Sequence, residues 1–238
     1  GAIIDAGGFT RVADLLAADY TVITYDRRGY SRSSRHDPRN FEISQQARDA
    51  LAVLRVEGHE VAAIASNSGG AIIGLELARA HPQSVSILVA HEPPAMRVLP
   101  NAAEKLAESA TIYRTALLEG AEQGMRLFFQ LNPTPRTEAD LAATTEDELA
   151  RRRGNIDFFL KHELLPFANY QPDAAAIRAN GVRVVLGDEA HRMGLVDHLV
   201  EPDRPGERLL RPGPRRPVDR RLSALRGRRP GLRGEAGV

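Results

Sequence analysis

The stretch Ser66-Asn67-Ser68-Gly69-Gly70 puts two hydroxyls and two glycines between two apolar segments of the chain. Small residues two positions before and two positions after Ser68 permit a sharp strand-to-helix turn that leaves one hydroxyl exposed. Such a hydroxyl is a candidate nucleophile, and the Gly69 N–H at the start of the helix would point toward an anion formed beside it. We expect the side chain of Asn67 to line the same site.

Two other interpretations of this turn are open from the sequence. Ser68 could simply cap the following helix, since serine side chains accept hydrogen bonds from the first N–H groups of helices. A glycine-rich phosphate loop is the weaker alternative, because the stretch has neither the dinucleotide spacing of glycines nor a Gly-Lys-Ser ending.

The first 95 residues alternate between helical spacing and strand composition. Short connections between such elements predict an α/β fold, with a mostly parallel sheet flanked by helices. Because residues 61–65 are apolar throughout, we expect that strand to be covered on both faces. Helices are predicted at 9–16, 44–56 and 69–80, and strands at 20–25, 61–65 and 85–89.

The pattern changes after Pro94. Residues 102–129, 138–153 and 155–165 have helical periodicity, and strand composition returns only at 182–186. We therefore predict four regions along the chain. They are the first part of a core at 1–95, a helical insertion at 96–180, the returning strand of the core at 181–200 and a tail at 201–238.

A second motif, Asp-Arg-Arg-Gly-Tyr-Ser-Arg-Ser at 26–33, follows the predicted strand at 20–25. It resembles the Asp-x-Arg-Gly-x-Gly-x-Ser turn of the α/β-hydrolase superfamily, whose members carry a nucleophile elbow after the next strand. Ser31 stands where the second glycine of that turn is usual. We expect an ion pair of Asp26 and Arg28 to hold the turn. The order of elements over residues 1–200 is also similar to that family, in which the helical insertion forms a cap.

The resemblance implies acyl transfer by a serine, a histidine and a carboxylate that act together. Ser68 would attack the acyl carbon. The oxyanion would be held by the Gly69 N–H and by a second N–H from an earlier loop, which corresponds here to Ala2 or Ile3. An attacking serine argues against epoxide hydrolase or dehalogenase chemistry, since those members need a carboxylate nucleophile.

The resemblance places the catalytic carboxylate and histidine after the elbow. In most members the acid follows the returning strand, which gives Asp188 or Glu189, whereas some members use the end of the strand after the elbow, here Glu92. Only two of the seven histidines lie beyond Asp188. We take Asp188 as the acid and His198 as the base, although His198 follows by only ten residues and no recognisable strand precedes it. His91, beside Glu92, is interpreted as structural.

The tail at 201–238 has 11 Arg against 5 acidic residues and contains neither Lys nor His. Its Arg, Pro and Gly content predicts disorder or loose attachment, because it offers little apolar surface to bury. One hypothesis is that the coding region is read out of frame after Gly187 and that the chain is entered partway through at Gly1. A contact with nucleic acid or an acidic membrane is the weaker alternative, because the tail has no aromatic residue for base stacking.

Apolar side chains in the helical insertion predict a lid that excludes water from the site. Tyr30 and Asn67 are expected to flank the mouth of the pocket. The lid residues could instead serve only to pack the insertion against the core. They are Met125, Phe128, Phe129, Phe158, Phe159, Phe167 and Tyr170.

These features together predict hydrolysis of a small, fairly apolar carboxylic ester or lactone through an acyl-enzyme. The alternative is a non-catalytic protein of the same fold that binds an apolar small molecule. No cofactor or metal is expected, and the absence of cysteine excludes disulfides and thiolate metal sites. With no apolar run near the roughly 20 residues that span a bilayer, we expect a cytoplasmic protein with a small-molecule substrate and no membrane or nucleic-acid partner.

Overall fold

The computed structural model describes residues 2–35, 41–133 and 145–187 of the 238-residue chain. Within them, three parallel strands form one sheet in the order β1-β2-β3. The strands are β1 (Ala62–Asn67), β2 (Val85–His91) and β3 (Arg183–Leu186). Since all three run in the same direction, their carboxyl ends lie at one edge of the sheet, and the predicted α/β architecture is confirmed.

Three helices accompany the first two strands along the chain: α1 (Thr10–Leu16), α2 (Ile43–Val56) and α3 (Gly69–Ala80). Helix α3 links β1 to β2 and is apolar almost all round, so that Ile72 and Leu75 have no exposed surface. It ends before His81 because Pro82 follows, and the residue before a proline is driven away from helical backbone angles. Helix α2 packs beside α3 and buries Leu51, as its helical spacing predicted.

Two expectations about the strands are wrong. Residues 20–25 form no strand of the described sheet, although their composition is typical of one. A strand requires a hydrogen-bonded neighbour, and within the described residues no strand pairs with this segment. In β1, Ala63 and Ala65 are exposed, so the described helices cover only one face of that strand.

Between β2 and β3 the described residues form helices and loops without a strand. The predicted helical segment at 102–129 is divided at Gly120, whose φ of 100° lies in the left-handed region. A further helix widens after Phe158 into one π turn, Phe159–Glu163, which adds one residue to that turn. The helices here are α4 (Ala102–Leu118), α5 (Ala121–Leu131), α6 (Glu146–Phe158), α7 (Leu164–Asn169) and α8 (Ala174–Ala179). The division of the chain at 95, 180 and 200, and the role of these helices as a cap, stay predictions.

Buried apolar side chains form two clusters among the described residues. The first lies where α3 packs on the sheet and includes Ile72 and Leu88. The second joins the N-terminal loop and the turn after residue 25 to helices α4, α5 and α6, and includes Tyr30 and Phe158. Phe41 packs against both clusters, so it connects the sheet core to the helices that lie between β2 and β3.

Candidate active site

Ser68 lies at the turn between β1 and α3 in a strained backbone conformation. Its φ of 54° and ψ of −126° are unusual for a residue with a side chain. Its N–H donates to the His91 carbonyl oxygen at 2.8 Å, which ties the turn to the end of β2. The Ser68 side chain makes no capping bond to α3, so the helix-cap interpretation does not describe this turn. The residue is half-buried, and its hydroxyl has no hydrogen-bond partner among the described residues.

Two backbone donors adjoin this hydroxyl in the chain. The N–H groups of Gly69 and Gly70 are the first of α3, and neither makes a hydrogen bond to a described residue. The first N–H groups of a helix lack partners within it and attract negative charge. The turn therefore places a strained residue, whose hydroxyl has no hydrogen-bond partner among the described residues, next to two backbone donors. The role of the Gly69 N–H as an oxyanion donor stays a prediction.

We expected that residue 70 must be small for the turn to form, and the structure does not support this. A Cβ added to Gly70 would meet nothing within 4 Å, so this position need not be glycine. A Cβ on Gly69 would instead lie 2.7 Å from the ring of Phe167, and one on Gly74 would lie 2.7 Å from Leu88. The steric constraint is thus set by neighbouring elements of the fold. At Ser66 the hydroxyl donates to a carbonyl oxygen of β2, at 3.1 Å.

Asn67 and His91 lie side by side at the ends of β1 and β2. They are register partners in the sheet, and 2.8 Å separates Nδ2 of Asn67 from Nδ1 of His91. An amide nitrogen can only donate, so Nδ1 of His91 is the acceptor in this contact. The sequence analysis left His91 outside the site. The signal that could have placed it there is its position at the carboxyl end of the strand that follows the Ser68 turn.

The alternative acid, Glu92, follows His91 at the same edge of the sheet. Its φ of 50° is a second left-handed conformation of a residue with a side chain. A carboxylate oxygen lies 3.7 Å from Nδ1 of His91, and the side chain is 39% exposed. Glu92 therefore stands beside the Ser68 turn in the sheet, with its carboxylate partly in solvent.

The motif at 26–33 is held by ion pairs, but not by the pair that we expected. Asp26 binds Arg32 at 2.6 and 2.9 Å and accepts from the N–H of Ala6, whereas Arg28 forms a two-point contact with Asp49 on α2 at 2.7 Å. Burial alone would raise the pKa of the Asp26 carboxyl, but hydrogen bonds from Arg32 and Ala6 outweigh it and lower that pKa to about 2. Both residues thus have structural roles, each with a different partner.

Tyr30 was expected at the mouth of a pocket, and this is wrong because the residue has no exposed surface. Its hydroxyl contacts both the carboxylate of Glu163 and the carbonyl oxygen of Ala2, so one phenolic proton serves two acceptors. Burial raises the pKa of Tyr30 well above its ordinary value, and the negative charge of Glu163 adds to the effect. Arg27 completes the group with a two-point ion pair to Glu163 at 2.6 and 3.0 Å.

The predicted oxyanion loop at Ala2 and Ile3 is anchored through its carbonyl groups. Besides the contact of Tyr30 with Ala2, Nδ2 of Asn155 donates to the Ile3 carbonyl oxygen at 3.1 Å. The same buried amide accepts from the N–H of Ser31 at 2.8 Å. Ser31, which replaces the usual glycine, has a φ of 44°, and this hydrogen bond supports that conformation. The loop is therefore fixed by groups from the turn and from α6.

Four of the seven apolar residues expected to form a lid are buried, and the lid itself stays a prediction. Phe158 and Phe167 are 8% and 4% exposed, and each ring fills the space where a glycine of the core lacks a side chain. The Phe158 ring packs against Gly29, and the Phe167 ring packs against Gly69. Phe41 lies between the two rings, with centroid distances of 6.4 and 5.5 Å. These contacts join the helices between β2 and β3 to both motifs of the core.

Three of the predicted catalytic residues, Asp188, Glu189 and His198, lie outside the described residues, as does the tail at 201–238. Within the described ranges, no three metal-ligating side chains of His, Asp or Glu come together. Nor is any helix of those ranges both long enough and apolar enough to cross a membrane.

Comparison with known proteins bears on the family. A family model for the α/β-hydrolase fold matches residues 4–172. An uncharacterized hydrolase of Bacillus subtilis, YraK, is 30% identical over 175 residues, which make up 73% of this chain and 61% of that relative. The chain thus spans less than two thirds of the length of this curated relative.

Solved structures give the same fold. An esterase from Thermogutta terrifontis superposes with a TM-score of 0.58 at 16% identity, over 78% of this chain and 67% of the esterase. An N-acyl homoserine lactonase superposes with a TM-score of 0.54 at 16% identity, over 78% of this chain and 66% of the lactonase. At such low identity these likenesses show the fold alone. Together with the matched family model, the sheet and the Ser68 turn establish that this chain belongs to the α/β-hydrolase family.

Proposed function

We propose that the protein hydrolyses a small, fairly apolar carboxylic ester or lactone through an acyl-enzyme on Ser68. The observation that carries this proposal is the strained Ser68 turn at the start of α3, where the hydroxyl bonds to none of the residues that the structure describes. A backbone held in such a conformation has an energetic cost, and costs of this kind cluster at functional sites. The family match and the relative named as a hydrolase support the assignment.

The reaction begins when the Ser68 oxygen attacks the acyl carbon and gives its proton to a base. The negative charge that forms on the carbonyl oxygen is stabilised by the Gly69 N–H and by an N–H of the loop at Ala2 and Ile3. The bond to the alcohol oxygen then breaks, and the alcohol leaves with the proton held by the base. Water attacks the acyl-enzyme by the same route and releases the acid.

The base and the acid in this proposal are those of the sequence analysis. His198 takes and returns the proton, and Asp188 orients it, with Glu189 or Glu92 as the alternative carboxylate. Of these, the structure describes only Glu92, which lies at the same sheet edge as Ser68. The proposed chemistry requires no cofactor or metal.

The proposed substrate follows from the nucleophile and from the composition around it. Serine favours ester and lactone chemistry, and the superposed structures include proteins described as an esterase and a lactonase. The proposal of an apolar acyl or alcohol part rests on the apolar composition of the helices between β2 and β3. We further propose that the substrate is a small molecule met in the cytoplasm, and that neither nucleic acid nor membrane is a partner.

A fluorophosphonate probe tests the nucleophile, because it reacts with activated serines and leaves a mass tag. We expect the full chain to be labelled on the peptide that contains Ser68, and the Ser68→Ala variant to remain unlabelled. Ser66→Ala is the matched control, since that hydroxyl lies two residues away and is bonded to β2. Labelling that survives in Ser68→Ala, or no labelling of the full chain, would contradict the proposal and favour a non-catalytic protein that binds an apolar ligand.

A further inference from the structure

The Gly69 turn is held from one side by an aromatic ring. Phe167 of α7 is 4% exposed, and its ring would lie 2.7 Å from a Cβ on Gly69. The backbone that carries the proposed oxyanion donor therefore rests directly on this ring. Any shift of Phe167 would leave a void under Gly69 or push against it, because protein interiors are closely packed.

The loop at Ala2 and Ile3 is held by a different aromatic residue. The Tyr30 hydroxyl contacts the Ala2 carbonyl oxygen. This bond orients the peptide group between Ala2 and Ile3, since the carbonyl oxygen and the N–H of one peptide point in opposite directions. The direction of the Ile3 N–H is thus set by where the Tyr30 hydroxyl lies.

Arg27 lies between these two aromatic residues. Its guanidinium carbon is 4.3 Å from the centroid of the Tyr30 ring and 5.8 Å from that of Phe167. Both distances are within the range of cation–π attraction. The side chain that contacts Ala2 and the side chain that supports Gly69 therefore share one cation as a neighbour.

Glu163 holds this cation in place from the π turn. It has no exposed surface, binds Arg27 through both carboxylate oxygens and contacts the Tyr30 hydroxyl. A planar guanidinium and a carboxylate joined at two points have little freedom to rotate relative to one another. The Glu163 side chain is fully buried and the Arg27 side chain is 13% exposed, so water competes little for these bonds.

We propose that the Arg27–Glu163 ion pair is a positioning unit that holds two backbone segments at once, the loop at Ala2 and Ile3 and the turn at Gly69. Through Tyr30 it fixes the loop at Ala2 and Ile3, and through Phe167 it fixes the turn at Gly69. The inference rests on the proposed function for its catalytic meaning, since these two segments are the proposed oxyanion donors. Neither Arg27 nor Glu163 takes part in the bond-making steps.

Backbone order tests the mechanical part of this proposal without any reaction. The measurement is the backbone ¹⁵N order parameter at Ile3 and at Gly69. In the unmodified protein we expect about 0.85 at both, the value typical of rigid backbone. Tyr30→Phe should lower the order parameter at Ile3 only, and Phe167→Leu at Gly69 only. Glu163→Gln should lower both, because it releases Arg27 from its fixed place.

Rates of probe labelling test the catalytic part. Each variant should label Ser68 more slowly per folded molecule, by about 10- to 100-fold, because the oxyanion donors are misplaced. In a variant with a merely structural role, the melting temperature would fall while the labelling rate of the folded fraction stayed unchanged. If Glu163→Gln does not fold, Tyr30→Phe and Phe167→Leu still test the two contacts one at a time, the first through the Ala2–Ile3 loop and the second through Gly69.

Asp157→Asn is the matched control. Asp157, near the end of α6, forms an exposed ion pair with Lys161 of the π turn, with 2.6 Å between Oδ1 and Nζ, and the substitution breaks it. It should change neither order parameter nor the labelling rate. The proposal is overturned if Glu163→Gln loosens only one segment, or neither, or if Asp157→Asn has the same effect. Absence of labelling in the unmodified chain would instead refute the proposed function, and the order parameters would still decide the positioning role.

Discussion

The strands β1 and β2 are each followed by a residue with a positive φ, but the chemical surroundings of the two residues differ. Asn67 and His91 pair across the two strands, and each is followed by a residue with a side chain and a positive φ: 54° at Ser68 and 50° at Glu92. A positive φ in a residue with a side chain costs on the order of 1–3 kcal/mol. The two positions therefore share a positive φ and the strain that comes with it.

The residues that follow make the difference. After Ser68 come two glycines and a 12-residue helix, so backbone N–H groups are available beside the hydroxyl. After Glu92 come Pro93 and Pro94, which have no N–H to offer to an anion. Under the proposed function, the adjacent backbone donors and not the strain alone distinguish Ser68 from Glu92.

The largest expected effect is on ester turnover, and it distinguishes Ser68 after β1 from Glu92 after β2. Ser68→Ala should lower turnover of a p-nitrophenyl ester by up to about 10⁶-fold, as removal of a nucleophile from a catalytic triad does. Glu92→Gln should leave turnover little changed, because its carboxylate is partly in solvent and Asp188 is the proposed acid. Steady-state assays of both purified variants check this. A loss in Glu92→Gln comparable to that in Ser68→Ala would show that Glu92 is the catalytic carboxylate.

Within the Ser68 turn, Gly69 and Gly70 should differ in how well they tolerate an added side chain. Gly69→Ala should destabilise the fold by about 1–3 kcal/mol and slow turnover by about 100-fold, because the new Cβ displaces the backbone from Phe167. Gly70→Ala should keep activity and add up to about 1 kcal/mol of stability, since the site is open and alanine favours helices. Denaturant unfolding and ester assays on this pair measure both effects. Equal damage from the two substitutions would contradict the assignment of crowding to Gly69.

The turn at 26–33 is held by the charge of Asp26 and should respond to acid. The pKa of this carboxyl is lowered from its ordinary 3.8 to about 2. Its stabilising effect is therefore present above the ordinary pKa and is lost as the pH falls through about 2. Asp26→Asn should melt below the unmodified protein at pH 6, and the gap should close toward pH 2. Melting curves across this range test it, and a gap that is independent of pH would contradict the ion-pair explanation.

The smallest expected effect concerns the strain at the end of β2. Glu92→Gly should raise stability by about 1 kcal/mol or less, because glycine adopts a positive φ without the cost that a Cβ adds, while its greater freedom in the unfolded chain offsets part of the gain. Glu92→Ala, which has a Cβ, is the control and should give no gain. Chemical denaturation of the three proteins measures the differences. A destabilised Glu92→Gly would indicate that the Glu92 side chain makes contacts that matter for folding.

Local pattern predicted much of the fold. The apolar spacing of α2 and α3 and the β-branched composition of β2 are properties of neighbouring residues, and each gave an element within a few residues of its position. The composition of residues 20–25 was equally suggestive, yet no described strand pairs with them. Pairing depends on a partner elsewhere in the chain, which local composition does not report.

The candidate site was predictable where one turn defines it and not where distant residues meet. Ser68 and Gly69 follow from a single strand-to-helix junction. The Arg27–Glu163 pair joins residues 136 positions apart, and no periodicity in the sequence links them. Likewise the crowding at Gly69 comes from Phe167, so the sequence analysis placed the steric demand at Gly70 instead. The ion partners of Asp26 and Arg28 were missed for the same reason.

The π turn between Phe158 and Phe167 makes the number of residues in this segment as important as their identity. One added residue rotates everything beyond it by about 100° about the helix axis. Phe158 precedes this rotation and Phe167 follows it, yet both rings must meet a glycine of the core. Deleting Lys161, an exposed residue of the π turn, would leave Phe158, Glu163 and Phe167 in the sequence and still turn Phe167 away from Gly69. In this part of the chain the number of residues is therefore constrained together with their identity.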